Sequence, residues 1–204
     1  MSTKLGEIIE SGSTEFTAES YELHNLPSLG SLVKVTAPKL EIFGIVYQSG
    51  TAGIEPGRRP IARGKDETSE EAVYQSSPQL MKLLRSEFQV IVVGHKIDGK
   101  ILQYLPPKPA HIHAFVHLCT SEEIKQFSQS FSFLSILVNN RLQISTEELV
   151  AAALREMSKA QTDPHAFLIA AGKALTATLC GDYHRLKTIL SRLKQYWKHN
   201  LLKL

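Results

Sequence analysis

Cysteine is scarce in this sequence: its 204 residues include two, Cys119 and Cys180. Two thiols cannot build a disulfide framework, so reduced side chains in a reducing compartment are expected. Long hydrophobic runs are missing too. Uninterrupted stretches such as Ile91-Val92-Val93 fall far short of the roughly 18 apolar residues that a membrane-spanning helix needs. The first ten residues have one lysine, acids at Glu7 and Glu10 and no apolar centre, and do not read as a signal or transit peptide. A soluble, cytoplasmic chain is the expectation. What is present is ordinary globular material. Hydrophobic residues make up 43%, enough for a packed core and too much for a disordered or collagen-like chain. The net charge of +3 hides an asymmetry, because residues 183–204 carry six basic residues and no acid.

From Gly6 to Leu118, β-branched and aromatic residues come in short runs cut by Gly, Pro, Asn and Asp. This pattern predicts strands at Gly6–Ser11, Glu15–Glu22, Ser31–Ala37, Leu40–Ser49, Phe88–Ile97, Lys100–Tyr104 and Ala110–Leu118. Many short strands suggest a barrel. An excursion at 52–87 interrupts them, first rich in Gly and Pro and then polar, with Ser77-Pro78 read as a helix start before Leu80, Leu83 and Leu84. After Cys119 the period changes to that of helices. Thr120-Ser121-Glu122-Glu123 and Ser145-Thr146-Glu147-Glu148 are capping boxes, the first leading into a helix through Ile124, Phe127, Phe131, Leu134 and Val138. Asp163-Pro164 opens a third helix, Gly181 ends it, and a fourth fills the tail. The expected fold is α+β: a small β-barrel over 1–118, then a helical bundle over 119–204.

Gly94-His95-Lys96-Ile97-Asp98-Gly99-Lys100 matches the first seven positions of a phosphate-binding P-loop. Ile101 stands where a Ser or Thr should hold Mg²⁺, and β-prone residues and Pro106-Pro107 follow where a helix should begin. Asp98-Gly99 reads instead as a type I′ hairpin turn. His111, His113, His117 and Cys119 alternate in a strand-like run, which would set them on one face with Phe115. His117 lies about 13 Å past His113 at strand rise, too far to share one ion, so a polar outer face is favoured over a zinc site. No catalytic residue, metal site or cofactor is assigned.

Two basic regions are candidates for binding. Arg58, Arg59, Arg63 and Lys65 lie among Gly57, Pro60 and Gly64, a loop suited to an anion or an acidic partner, or one simply solvated and balanced by Asp66, Glu67, Glu70 and Glu71. In the tail, Leu186, Ile189, Leu190, Leu193, Trp197, Leu201 and Leu204 form a stripe. Lys187, Lys194 and Lys198 run along one of its flanks. The stripe is read as packing on the bundle, with nucleic-acid contact by the lysines as the alternative.

Gly6-Glu7-Ile8-Ile9, Ser13-Thr14-Glu15-Phe16, Gly30-Ser31-Leu32-Val33-Lys34-Val35 and Ile42-Phe43-Gly44-Ile45-Val46 resemble the HAS-barrel. HerA-type DNA translocases and the N-terminal domains of ATP synthase ring subunits share this barrel. The resemblance covers about the first 118 residues and is to stand-alone bacterial members, because the ATPase domain of those machines has no counterpart here. It implies an assembly or partner-binding module, in which the barrel meets subunits and partners, and it transfers no catalytic residue. A non-enzymatic protein-interaction module is therefore the leading expectation. A nucleic-acid-associated protein comes second, and an enzyme with an unrecognised site third.

Overall fold

The computed structural model describes residues 3–37, 40–55, 57 and 60–201. It is an α+β fold in which a closed β-barrel is followed by helices. Six strands close the barrel: β1 (Lys4–Ser11), β2 (Glu15–Ser20), β3 (Leu32–Ala37), β4 (Leu40–Gly53), β5 (Leu84–Ile97) and β7 (Phe115–Leu118). They follow the order β2-β1-β7-β3-β4-β5, and the antiparallel β2–β5 pairing completes the circle. Strand β6 (Lys100–Leu102) hangs from β5 as a hairpin.

The unbroken apolar runs of β3, β4 and β5 are explained by two cores, one on each face of the sheet. Val33, Val35, Ile42, Val46, Phe88, Val90 and Val92 point into the barrel with Ile8, Phe16 and Val116. Their alternate neighbours Leu32, Phe43, Ile45, Tyr47, Ile91 and Val93 point outward, into a second core made with the helices. Period two thus feeds both layers, so that neither face of these apolar runs is left to water.

The helical half consists of α3 (Ser121–Phe127), α4 (Leu134–Val138), α5 (Thr146–Ser158), α6 (Pro164–Thr178) and α7 (Tyr183–Leu201). Thr120 forms the full capping box with Glu123, and Asp163 accepts from the Ala166 amide at 2.9 Å. Ser145 caps Glu148 but donates its own hydroxyl to Glu147, so that box is half made. Helix α5 is the pillar of the seam: Leu149 to Leu154 are all buried. The barrel meets it at Gly30, where φ is +85° and a Cβ would lie 2.4 Å from the Ala152 carbonyl carbon. Only glycine beside the alanines of α5 allows that approach.

Three expectations are corrected. The helix expected from Ile124 to Val138 is two helices, because Gln103 enters the break: its amide donates to Phe127 O (2.7 Å) and Ser130 O (3.0 Å), and its oxygen accepts from Phe133 N (3.0 Å). The polar groups that a continuous helix would have paired internally are satisfied from outside. Ser77 does not start a helix. It caps the C-terminus of α1 (Glu70–Ser76), which Ser69 opens ahead of Glu70 and Glu71, acids well placed at a helix N-terminus. A single turn, α2 (Leu80–Leu83), follows. Finally, β4 and β5 stay paired as far as Gly53↔Leu84, so the chain leaves the ribbon at 54 and returns at 83.

Candidate partner-binding site

The excursion 54–83 grows from the end of the β4–β5 ribbon. The Ile54 amide still donates to Leu83 O at 3.0 Å, closing its base. Its two helices have seven and four residues, too short to present a broad apolar face to the core, and none of the excursion's described residues is buried. Apolar side chains stay in solvent instead: Ile61 is 71% exposed, and Ile54, Met81 and Leu83 are each about half exposed. With Pro60, Leu80 and Leu84, three of them line a cleft of about 180 Å³, edged by Arg63, Lys82 and Glu55. Guanidinium and ammonium groups beside an apolar hollow suit a ligand that is apolar at one point and anionic at the next.

The excursion is tethered to the ribbon through one face. His24, itself at φ 65°, places Nε2 2.7 Å from the Tyr74 hydroxyl of α1 and Nδ1 3.3 Å from Thr51 Oγ1. Thr51 and Ser86 share a 2.7 Å hydrogen bond, and Ser86 Oγ accepts from the His24 amide. This chain of hydroxyls and imidazole holds α1 in place. Ser86 is 1% exposed, so no substrate reaches its hydroxyl.

Of the four residues of the basic loop, Arg63 lines the cleft and Lys65 is exposed just beyond it. Arg58 and Arg59 lie outside the described residues. The charge is legible in the sequence as a cluster, and Leu80, Leu83 and Leu84 as the apolar side of a helix, but Ile54 and Ile61 are not, because each stands singly among Gly, Pro, Ala and charged residues without a period.

The histidine row does not exist as a face. Residues 111–114 form a turn, with His113 at φ 66° and the Ala114 amide donating to His111 O, and β7 begins only at Phe115. His111 and His113 are exposed, His117 is half-buried on β7, and Cys119 is sunk in the helical core, where burial pushes its thiol well up. His113 turns to Glu7, Nδ1 to Oε1 at 3.0 Å. This contact and the Tyr21 hydroxyl hold the Glu7 carboxyl below its usual range. Lys4 lies between the Tyr21 and Phe115 rings, 4.8 and 4.6 Å from their centroids. Among the described residues, no three His, Cys, Asp or Glu side chains are grouped to hold a metal ion. Asp98 (φ 49°) and Gly99 (φ 78°) form the turn of the β5–β6 hairpin, which fills the place of a P-loop's helix.

The tail packs where it is described. Leu186, Ile189 and Leu193 join the helical core, and Leu190 stays part-exposed. Arg185 pairs with Glu147 at 2.6 Å and donates to Val138 O, while Arg192 pairs with Glu148 at 2.9 Å. Burial is the largest single influence at Glu147 and opposes its charge, but the Arg185 bond, its own backbone amide and the Ser145 hydroxyl together outweigh it and hold the carboxyl low. Lys187 and Lys194 are exposed, and the side chains of Trp197, Lys198 and Leu201, with all of Leu204, lie outside the described residues.

Fold and site together define a class: a closed antiparallel barrel with helices packed on its outside and a cation-edged apolar cleft on an insertion between two barrel strands. No protein-family model matches the chain, and no curated protein matches it. Among the described residues no helix is long and apolar enough to cross a membrane.

Proposed function

We propose that the protein is a non-enzymatic interaction module of the HAS-barrel kind, working in the cytoplasm and meeting a partner protein through the excursion. The observation that carries this reading is the cleft. An insertion none of whose described residues joins either core keeps Ile54, Ile61 and Leu83 in solvent around a hollow edged by Arg63 and Lys82. Exposing such residues has no stabilising value for the chain itself, whereas a partner that covers them gains roughly 25 cal/mol for each Å² of apolar surface removed from water. The resemblance of the N-terminal motifs to a barrel that mediates subunit contacts points the same way, and the unpaired Cys119 and Cys180 suit a reducing compartment. A photo-crosslinking residue at Ile61, used in the cells of origin, should trap one protein partner, while the same residue at Ile112, on the barrel, should not. Identical yields at both positions would remove the excursion from the contact.

The second reading, nucleic-acid contact, is favoured by one observation: Lys187 and Lys194 lie exposed two turns apart on α7. Its signature is affinity for duplex DNA that falls steeply with salt, about 0.9 in log-log slope for each phosphate contacted. Changing Lys187, Lys194 and Lys198 to Gln would abolish that slope.

A further inference from the structure

The β4–β5 ribbon at the foot of the cleft has an open edge. On its β3 side β4 is paired up to Leu32↔Ile45, after which Val46 exchanges hydrogen bonds with Gly30 and Ser31. On its β5 side the pairing continues without a break from Gln48↔Gln89 to Gly53↔Leu84. Beyond Gln48, therefore, no strand among the described residues flanks the outer side of β4. The bond from the Ile54 amide to Leu83 O fixes the parity. Ile54, Ala52, Gly50 and Gln48 turn their amides and carbonyls toward β5, and Ser49, Thr51 and Gly53 turn theirs outward.

Natural edge strands are guarded by lysine, proline, bulges or shortness. Gln48-Ser49-Gly50-Thr51-Ala52-Gly53 has no charge and no proline, its side chains are mostly small, and the β4 bulge lies before it, at Val46/Gln48. Residues 48–52 are all exposed, and nothing lies within 4 Å of where a Gly50 Cβ would be. One face of the segment is held by the Thr51–Ser86–His24 hydrogen bonds, so a strand arriving at the edge meets an ordered template with little left to freeze.

We propose that this edge takes up an extended segment of a partner protein as an added strand, with an apolar side chain of the segment in the cleft and an adjacent Asp or Glu on Arg63 or Lys82. The inference rests on the interaction reading above and names the kind of partner: an acidic, aliphatic, extended peptide. Charge complementarity decides for it over a second copy of the chain. The cleft is edged by two cations, Arg63 and Lys82, and one acid, Glu55, and pairing two copies through this edge would bring two such cationic clefts to one interface, where like charges repel.

The probe is a displayed library of linear twelve-residue peptides selected on the full chain. Enriched peptides should combine an aliphatic residue with Asp or Glu, and N-methylating their amides one at a time should abolish binding at every second position only. Ser49→Pro replaces an outward amide that no ladder bond uses, a position where an edge strand tolerates proline. It should weaken binding by about tenfold or more with the melting temperature unchanged, as should Arg63→Glu combined with Lys82→Glu. Peptides sensitive to the charge reversal but indifferent to Ser49→Pro and to alternate methylation would overturn the added strand and leave the cleft as a docking site. So would a lack of enrichment, while crosslinking at Ile61 separately decides whether the excursion meets a protein at all. A dimer in sedimentation that Ser49→Pro dissociates would replace the partner by a second copy and overturn the proposal. The methylation series keeps the test decisive should Ser49→Pro fail to fold.

Discussion

Along the seam between barrel and helices, Phe43, Ile45, Ile91 and Val93 stand on alternate positions of β4 and β5 and disappear under the helical half, whereas in the excursion Ile54, Ile61, Met81 and Leu83 stay in solvent. The two regions use similar residues and even the same two strands. What differs is what lies opposite. The seam is faced by α5, a 13-residue helix with eight buried residues, and by the Phe127–Phe133 pair beside Gln103. The excursion has only short helices and irregular chain, from which no second layer can be built. Apolar sequence becomes core only where an element of matching length covers it. Elsewhere the same residues form a surface.

The largest expected effect lies in the seam. The Phe127 ring packs at a tilt against Phe43 of the barrel, with centroids 5.2 Å apart, and against Phe133 of the helices at 5.4 Å, and it is 1% exposed. Phe127→Ala should cost about 3–5 kcal/mol in urea unfolding, the range for emptying an aromatic core position, whereas Leu83→Ala should stay within about 0.5 kcal/mol. Because the outer residues of the barrel and those of the helices form one core, wild type should unfold in a single transition by near- and far-ultraviolet circular dichroism. Two separated transitions would break the comparison, since barrel and helices would then be independent units.

Much of this arrangement was legible in the sequence where a local rule sufficed. Thr120 with Glu123, Asp163 with Pro164, and Asp98-Gly99 each satisfy backbone groups within a few residues, and each appears as read. Two of the misreadings share one cause, which is a partner distant in sequence. Nothing between Ile124 and Val138 announces that Gln103 will enter the helix, and the alternation of His111, His113 and His117 does not reveal that the His113 amide bonds to Ile8 O on the neighbouring strand β1. The basic side of the site was visible as a charge cluster. The open edge was not, because Gln48 to Gly53 reads as a polar strand end until the lengths of β3 and β5 beside it are known.

A smaller effect separates the regions by pH. At the seam Lys34 bonds to Glu123, and Glu41 lies 3.5 Å from Lys34 and 3.4 Å from Lys96, tying β3, β4 and β5 to α3. Burial is the largest single influence and opposes both charges, but the mutual bond, the attraction between the two charges and their further partners together prevail. The Glu123 carboxyl is held below its usual range, helped by the Thr120 amide, and the Lys34 ammonium is held above its own. A depressed carboxylate contributes stability that is present above its unfolded value, near 4.3, and is lost as the pH falls through the folded one. A raised ammonium contributes stability that is present below about 10.4 and is lost as the pH rises through its folded value. Stability should therefore be flat between these limits and decline beyond both. Glu123→Gln should lower it by roughly 1 kcal/mol at pH 7 through the lost ion pair, since a Gln oxygen still accepts from the Thr120 amide, and shallow the acid limb. An acid limb unchanged in slope would assign the decline to other carboxylates.

The smallest expected effect on stability is also the sharpest test of the contrast, because there folding and binding should part. Replacing Arg58, Arg59, Arg63 and Lys65 with Ser removes four positive charges from the excursion. Lys65 and the cleft-edge Arg63 lie outside both cores, so the unfolding free energy should change by no more than about 0.5 kcal/mol. Partner capture has the opposite expectation, because an acidic segment seated beside Arg63 and Lys82 would lose half of that cationic edge, and the association rate should fall along with its dependence on ionic strength. Changing Lys187, Lys194 and Lys198 to Gln should leave capture intact. Should the tail variant lose the partner and the Ser variant keep it, the contact surface would move from the excursion to α7, and the exposed leucines and isoleucines around the cleft would have no occupant to explain them.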